Sequence, residues 1–324
     1  MLESDVSQLF ARPITSIVRW GGGGNSRIFQ VEDADGRLYA LKSYPPLELD
    51  PRDRLGTEYA ALDFLSRNSK IRVPQPVCMD RDKMLAAFEW IDGSRPIPSE
   101  AIIDAMLDFI KSAYPLRETP DARVMPLASE CCLSGADILL QVRNRMGRLR
   151  RQLEENELQD FLSKTVEPML ADLKYPDVQL QAAHWCLTPG DFGSHNMLVK
   201  GDDVAFVDME YFGWDDPVKQ VCDVIWHPGM SLSDELASRF LLGARTLYAS
   251  TDSGFTERVQ NFFPAYGLRW AMILLNEFLP ERWALRAHAG AENHIQAKVR
   301  QLVKARVLIQ SIRDRQAMVR DILK

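Results

Sequence analysis

The sequence has no stretch approaching the roughly 20 apolar residues of a membrane-spanning helix, so no span is predicted. Its first residues, MLESDVSQLF, carry acids and lack the charged-then-apolar pattern of a secretory leader, which makes a mature, soluble, cytoplasmic protein the expectation. Cysteine is scarce. The five thiols, Cys78, Cys131, Cys132, Cys186 and Cys222, are odd in number and lack CxxC spacing, which argues against a disulfide framework, a zinc ribbon or a redox pair. A charge of one sign is missing too: 45 acidic against 39 basic residues leave a net −6, too little to argue for a nucleic-acid or anionic-membrane partner. There is no GxxxxGK[ST] phosphate loop, no internal repeat and no low-complexity linker.

What is present is a chain of 324 residues, 46% hydrophobic, enough for a sizeable core in one large domain or in two lobes around a cleft. From Gly21 to Ser43 it reads as a glycine-rich turn and a β-hairpin, RIFQVED and RLYALKS around the Asp33–Gly36 turn, with Leu38, Ala40 and Lys42 on one face. Asp50 and Pro51 signal a helix start, and Leu55, Leu62 and Leu65 recur at helical spacing. After the extended run MLAAFEWI, the pair Asp92-Gly93 marks the expected boundary between a strand-rich lobe, 1–92, and a larger lobe, 93–324. The second lobe reads as helical near 99–114, 134–154, 156–173, 232–250, 256–288 and 294–323. Its expected exception is one hairpin, Met197–Lys200 and Val204–Val207 around Gly201, Asp202 and Asp203.

If Lys200 pairs with Val204, paired indices sum to 404 and Asn196 falls opposite Asp208. A carboxylate and an amide oxygen at one end of a hairpin suit a hard cation such as Mg²⁺. For an isolated pair, a loop cap and a strand end is an equally good account. Asp191, in LTPGDFGSHNMLV, lies five residues before Asn196 on a loop bent at Gly190 and Gly193, and can aim a second carboxylate at the same place. In phosphoryl transfer such an aspartate orients the attacking hydroxyl and takes its proton. Glu58 falls within or beside the apolar stripe of Leu55, Leu62 and Leu65, so it either reaches water at the edge or needs a buried cation, for which Lys42 is placed. The run WGGGGNS frees backbone to approach phosphate oxygens, although alone it reads equally as a surface loop.

Taken in order, the glycine-rich turn, the lysine of YALK, a helix glutamate, the GDxxxxN loop and VDME resemble the aminoglycoside phosphotransferase and choline kinase-like family. The likeness spans about Gly21 to Asp223 and extends to EYFGWDDP. It implies an α+β, two-lobed protein-kinase-like fold, with a small antiparallel-sheet nucleotide-binding lobe and a larger, mainly helical lobe for catalysis and substrate. It also implies an ATP- or GTP-dependent kinase acting on a hydroxyl. In that reading Gly23, Gly24, Asn25 and Ser26 lie over the phosphates, Lys42 contacts them, and Glu58 holds Lys42. Asp191 is the catalytic base, Asn196 and Asp208 bind Mg²⁺, and Phe88, Glu89, Trp90 and Ile91 meet the base through backbone groups. Glu210 is a candidate for a second metal or its water shell, against a purely structural role. The family commonly has His-Gly-Asp where this chain has Pro189-Gly190-Asp191, and His184 and His195 are candidates to replace that support. His195 otherwise reads as a loop residue, since no second His or Cys stands at zinc spacing.

Asp216 comes only eight residues after Asp208, too soon for a long peptide-binding segment, so the expected acceptor is a small molecule: an aminoglycoside, amino alcohol, sugar or hydroxy amino acid. Trp185, Trp214, Tyr211, Trp270, Asn276 and Glu277 are candidates for its pocket, and Asp216 and Asp223 for bracing the loop and following helix. Two other classes compete. One is an inactive pseudokinase acting as a nucleotide-binding or regulatory module. The other is an adaptor using the stripe Ile295, Val299, Leu302, Ile309 and Ile312 with its flanking cations. Neither nucleic acid nor membrane is an expected partner, and the oligomeric state is not legible.

Overall fold

The computed structural model describes residues 3–22, 26–173, 179–288 and 293–324. Strands β1 (Ile14–Gly22), β2 (Arg27–Asp33), β3 (Leu38–Ser43), β4 (Pro76–Asp80) and β5 (Leu85–Glu89) form an antiparallel sheet of order β1-β2-β3-β5-β4. The glycine run, expected only as a turn, gives Gly21 and Gly22 to β1, where they pair with Ile28 and Arg27. Gly23, Gly24 and Asn25 lie outside the described residues. The period-two pattern sorts the faces. Leu41, Leu85 and Ala87 meet Val6 and Phe10 of helix α1 (Glu3–Phe10). On the other face Ala86 and Phe88 share a core with Leu55, Leu62 and Leu65 of helix α2 (Arg54–Asn68).

The expected helix start at Asp50 and Pro51 is displaced. Asp53 caps α2, accepting from Gly56 N at 2.9 Å, while Asp50 takes ion pairs from Arg52 and Arg54, each at 2.6 Å. Two guanidiniums compete more strongly for that carboxylate than one amide does.

The larger lobe contains α3 (Glu100–Ala113), α4 (Gly135–Arg150), α5 (Asn156–Phe161), α6 (Glu167–Asp172), α7 (Pro217–Trp226), α8 (Asp234–Tyr248), α9 (Phe255–Leu274), α10 (Pro280–His288) and α11 (His294–Ile322). Serines at 99, 134 and 233 cap α3, α4 and α8, accepting from the third helical amide. No described helix is long and apolar enough to cross a membrane. Within α11, Leu302, Ile309 and Ile312 are buried and Ile295 and Val299 are exposed, so the adaptor stripe is largely a core face.

The hairpin β7 (Met197–Lys200) and β8 (Asp203–Phe206) is present, but its paired indices sum to 403: Lys200 faces Asp203 and Met197 faces Phe206. Gly201, at φ 61°, permits a two-residue turn, tighter than expected. Asn196 therefore lies opposite Val207, whose N–H donates to its carbonyl at 2.9 Å, and Asp208 is one residue farther along. The hairpin is also not the single exception expected. Among the described residues β6 (Cys186–Thr188) pairs with β9 (Gly213–Asp215).

Every residue of α7 is buried. Asp216 caps it, accepting from Val218 N at 2.8 Å, and binds Arg258 at 3.1 Å, with its pKa raised chiefly by burial. The charge is therefore less valuable here than the cap. Asp216→Ala is expected to cost about 3 kcal/mol in denaturant unfolding and Asp216→Asn clearly less, since the amide oxygen still caps. Equal losses would contradict that division.

Candidate active site

Lys42 leaves β3 on the α2 side of the sheet and is 6% exposed. Its Nζ lies 2.6 Å from Glu58 Oε2, 2.6 Å from Asp208 Oδ1 and 3.3 Å from Glu210 Oε2. The Tyr44 hydroxyl donates to Glu58 at 2.7 Å. Glu58 thus meets a buried cation instead of reaching water. Burial alone would lower the lysine pKa, but Asp208, Glu58 and Glu210 together raise it well above its usual value. One ammonium cannot satisfy three carboxylates: Glu58 is pushed up by burial and by Asp208 and Glu210, against Lys42. Glu210 is raised for the same reason, although Arg54 Nη1 also pairs with it. Three carboxylates against Lys42 and Arg54 leave one negative charge in excess, and Glu58, Asp208 and Glu210 present oxygens within 4.8 Å of one another. Lys42 already occupies the middle of that cluster, so the oxygen donor open to a further hard cation such as Mg²⁺ is Asp208, whose side chain is 33% exposed beside the excess charge.

Asp208 reaches this place through a left-handed backbone, φ 65°, which turns the chain out of the hairpin directly after Val207. Aspartate tolerates that conformation better than most residues. Asn196 Nδ2 donates to Asp191 O at 2.9 Å, which commits the amide nitrogen and leaves the side-chain oxygen for another partner. Ser26, expected over phosphates, is buried with its hydroxyl 3.5 Å from Glu210 Oε2.

Asp191 sits on a loop that only glycine can shape at position 190. Gly190 has φ 77°, and a Cβ there would lie 2.6 Å from Tyr211 Cβ. His195 Nε2 is 3.1 Å from Asp191 Oδ1 and His227 Nε2 is 3.5 Å from it. The two imidazoles stack at 4.2 Å and 10°, and His227 meets Trp270 edge-on. Gly229 N donates to His227 Nδ1 at 3.0 Å, which places the His227 proton on Nε2, toward Asp191. Burial would raise Asp191, yet His195, by hydrogen bond and charge, brings it down to about 2. Burial also brings His227 down to about 4, against the pull of Asp191, so it is neutral near pH 7.

Two cavities meet at this cluster. The first, about 520 Å³, runs from Phe88, Glu89, Trp90 and Ile91, beneath Ala40 and over Leu198 and Val207, to Lys42, Asn196 and Asp208. Glu89 is itself held by Arg72 at 2.6 Å, and Trp90 packs edge-on to Trp20 at 4.9 Å. The second, about 340 Å³, shares Lys42, Asn196 and Asp208 and is lined by Asp191 on its own side. Of the sequence-level acceptor candidates, Tyr211, Trp270 and Asn276 line it. Trp185, Trp214 and Glu277 do not: their polar atoms turn to Leu180 O, Ala122 O and Arg286 instead. His195 does more than hold a loop, since it touches Asp191, a role for which the sequence had only its proximity. His227 and the arginines of the second cavity carry no local motif and were missed.

The chain matches the model of the phosphotransferase enzyme family (APH) over residues 16–253. No curated protein sequence gives a significant match. Solved structures share the fold at low identity. A choline/ethanolamine kinase family protein from Mesorhizobium loti is 16% identical, with 98% of this chain and 99% of that one covered and a TM-score of 0.57. The gentamicin complex of APH(2")-IIa is 14% identical, with coverage of 95% and 94% and a TM-score of 0.61. The amicoumacin kinase hAmiN, in complex with AMP-PNP, Ca²⁺ and Ami, is 12% identical, with coverage of 96% and 92% and a TM-score of 0.57. With a family match across most of its length and a two-lobed, protein-kinase-like α+β fold, the chain belongs to the phosphotransferase enzyme family.

Proposed function

We propose that the protein is a Mg²⁺-assisted, ATP- or GTP-dependent kinase that phosphorylates a hydroxyl of a small molecule. The observation that carries this reading is the meeting of two cavities at Lys42, Asn196 and Asp208, with Asp191 on the side away from the Phe88–Ile91 link. The lobe boundary then falls at residues 92 and 93, with the nucleotide held mainly by 1–92 and the acceptor by 93–324.

In this reading Phe88 to Ile91 and Ala40 take the purine and Lys42, oriented by Glu58, takes the phosphates. Gly23, Gly24 and Asn25, with Ser26, complete the phosphate cover. Asn196 and Asp208 would hold the metal; Glu210 neighbours Asp208 but is already engaged by Arg54 and Ser26. The chemistry Mg²⁺ supplies there is neutralisation of phosphate charge. Asp191 accepts the proton of the acceptor hydroxyl as its oxygen attacks the terminal phosphorus, and the bond to the leaving diphosphate breaks. A carboxylate with a pKa of about 2 is ionised at any working pH, so its contribution is mainly to orient the hydroxyl and stabilise the proton in transit. The AMP-PNP and Ca²⁺ bound by hAmiN support a nucleotide and a divalent ion in this fold.

Calorimetric titration with ATP is expected to show binding strengthened by Mg²⁺ in the wild type and indifferent to Mg²⁺ in Asp208→Ala. Failure of both ATP and GTP to bind folded protein at any metal concentration would sink the reading and favour a module without transfer. Asp191→Asn should lower kcat by about 10³-fold while nucleotide affinity holds. His195→Leu removes the main interaction depressing the Asp191 pKa. The protonated, inactive form then persists to higher pH, and the acid limb of the kcat profile moves up by about one pH unit or more. An unmoved limb would show that His195 does not set the state of Asp191.

A further inference from the structure

The second cavity is lined by six arginines, Arg52, Arg95, Arg145, Arg269, Arg282 and Arg286, an unusual wall for a pocket beside three carboxylates that already serve the transfer site. Two further acids of its lining, Glu130 and Asp223, are spoken for. Glu130 accepts from Arg145 at 2.5 Å and Arg269 at 2.9 Å, and Asp223 from Arg269 at 2.9 Å and Lys219 at 3.2 Å. Although burial alone would raise it, Glu130 is held at about 2 by Arg269 and Arg145, which makes it a poor partner for a further cation. Arg52 is bound to Asp50 and Arg286 to Glu277.

Arg282 differs. It is half-buried in the first turn of α10, lines the cavity, and among the described residues its guanidinium has neither an ion pair nor a hydrogen bond. Burial, then the charges of Arg52, Arg148 and Arg145, push its pKa below the ordinary arginine value, with Glu130 opposing. A guanidinium facing like charges in a concave, partly dry site is stabilised by an incoming anion and by little else.

We infer that the acceptor is an anionic hydroxy compound whose carboxylate or phosphate is received by Arg282 on the wall of the second cavity. This rests on the kinase reading above, and it names the acceptor's charge. The volume of about 340 Å³ lies near the small end of ligand cavities, so the molecule is compact. Trp270 and Ile273 offer an apolar wall for its carbon skeleton, and the hydroxyl to be phosphorylated lies at the Asp191 end. A polycationic acceptor finds the opposite of what it needs, since Glu130 and Asp223 are already paired with arginine or lysine.

The test is calorimetry on protein saturated with AMP-PNP and Mg²⁺, titrated with inorganic phosphate, with malonate and with spermidine. One or both anions are expected to bind and spermidine not to. Arg282→Glu should weaken the anion roughly tenfold or more, and Arg282→Gln by less. Tighter phosphate binding points to a phosphomonoester acceptor and tighter malonate binding to a carboxylate. Thermal melting checks that each variant is folded. Spermidine binding in preference to both anions, no anion binding into the tens of millimolar, or anion binding indifferent to Arg282→Glu would overturn the inference. A wild type that fails to bind AMP-PNP would sink the kinase reading alone, because anion titrations of nucleotide-free wild type and Arg282→Glu still report on the pocket.

Discussion

One buried ammonium joins the two lobes. Lys42 Nζ, rising from the sheet, contacts Glu58 of α2 on its own lobe and Asp208 and Glu210 of the other at 3.3 Å or less. Removing such a charge from water is costly, and several close carboxylates outweigh the cost only if both lobes are in place. The position of the sheet over the hairpin is therefore written into an electrostatic requirement, and both cavities take their shared wall from it. The excess negative charge beside Lys42 is the same requirement seen from the ligand side.

The Asp191 loop shows a different economy. The family's usual histidine before Gly-Asp is replaced by Pro189, and two imidazoles that follow Asp191 in the chain stand beside the carboxylate. His195 comes from the same loop and His227 from the end of α7, whose burial fixes where that end lies. The Gly229 amide then decides which imidazole nitrogen carries the proton. Geometry, tautomer and charge at Asp191 are thus set by residues spread across 39 positions, counted from 191 to 229.

What could be read from the sequence follows from how far each interaction reaches along the chain. The β2–β3 hairpin, α3, α8 and the pairing of Lys42 with Glu58 declare themselves through period, caps and a charge in an apolar stripe. The β7–β8 register escaped by one residue because turn length depends on whether Gly201 adopts the left-handed conformation, which composition permits without deciding. Helix α7 has an amphipathic period but no solvent face, because its polar side, Lys219 and Asp223, is buried against Asp215 and Arg269. Asp53 outcompeted Asp50 as a cap because Arg52 and Arg54 claimed Asp50, a local contest invisible to a motif. The arginine wall of the second cavity is drawn from segments as distant as Arg52 and Arg286, and no window of sequence contains it.

The β7–β8 hairpin is tied at two separate points, once to the start of the chain leaving the lobe boundary and once to the segment between α2 and β4. Ser94 and Val199 exchange both backbone hydrogen bonds, at 3.1 and 3.0 Å, and Phe206 N donates to Arg72 O at 2.8 Å. Two anchors define a line. A rigid body held at two points keeps one rotational degree of freedom, about the axis through them, and loses the shear and twist that a single flexible link would allow. With these tethers intact, any movement of the sheet against the hairpin is confined to rotation about the line through Val199 and Phe206, so Leu198 and Val207, each next to an anchor in the chain, would be displaced least.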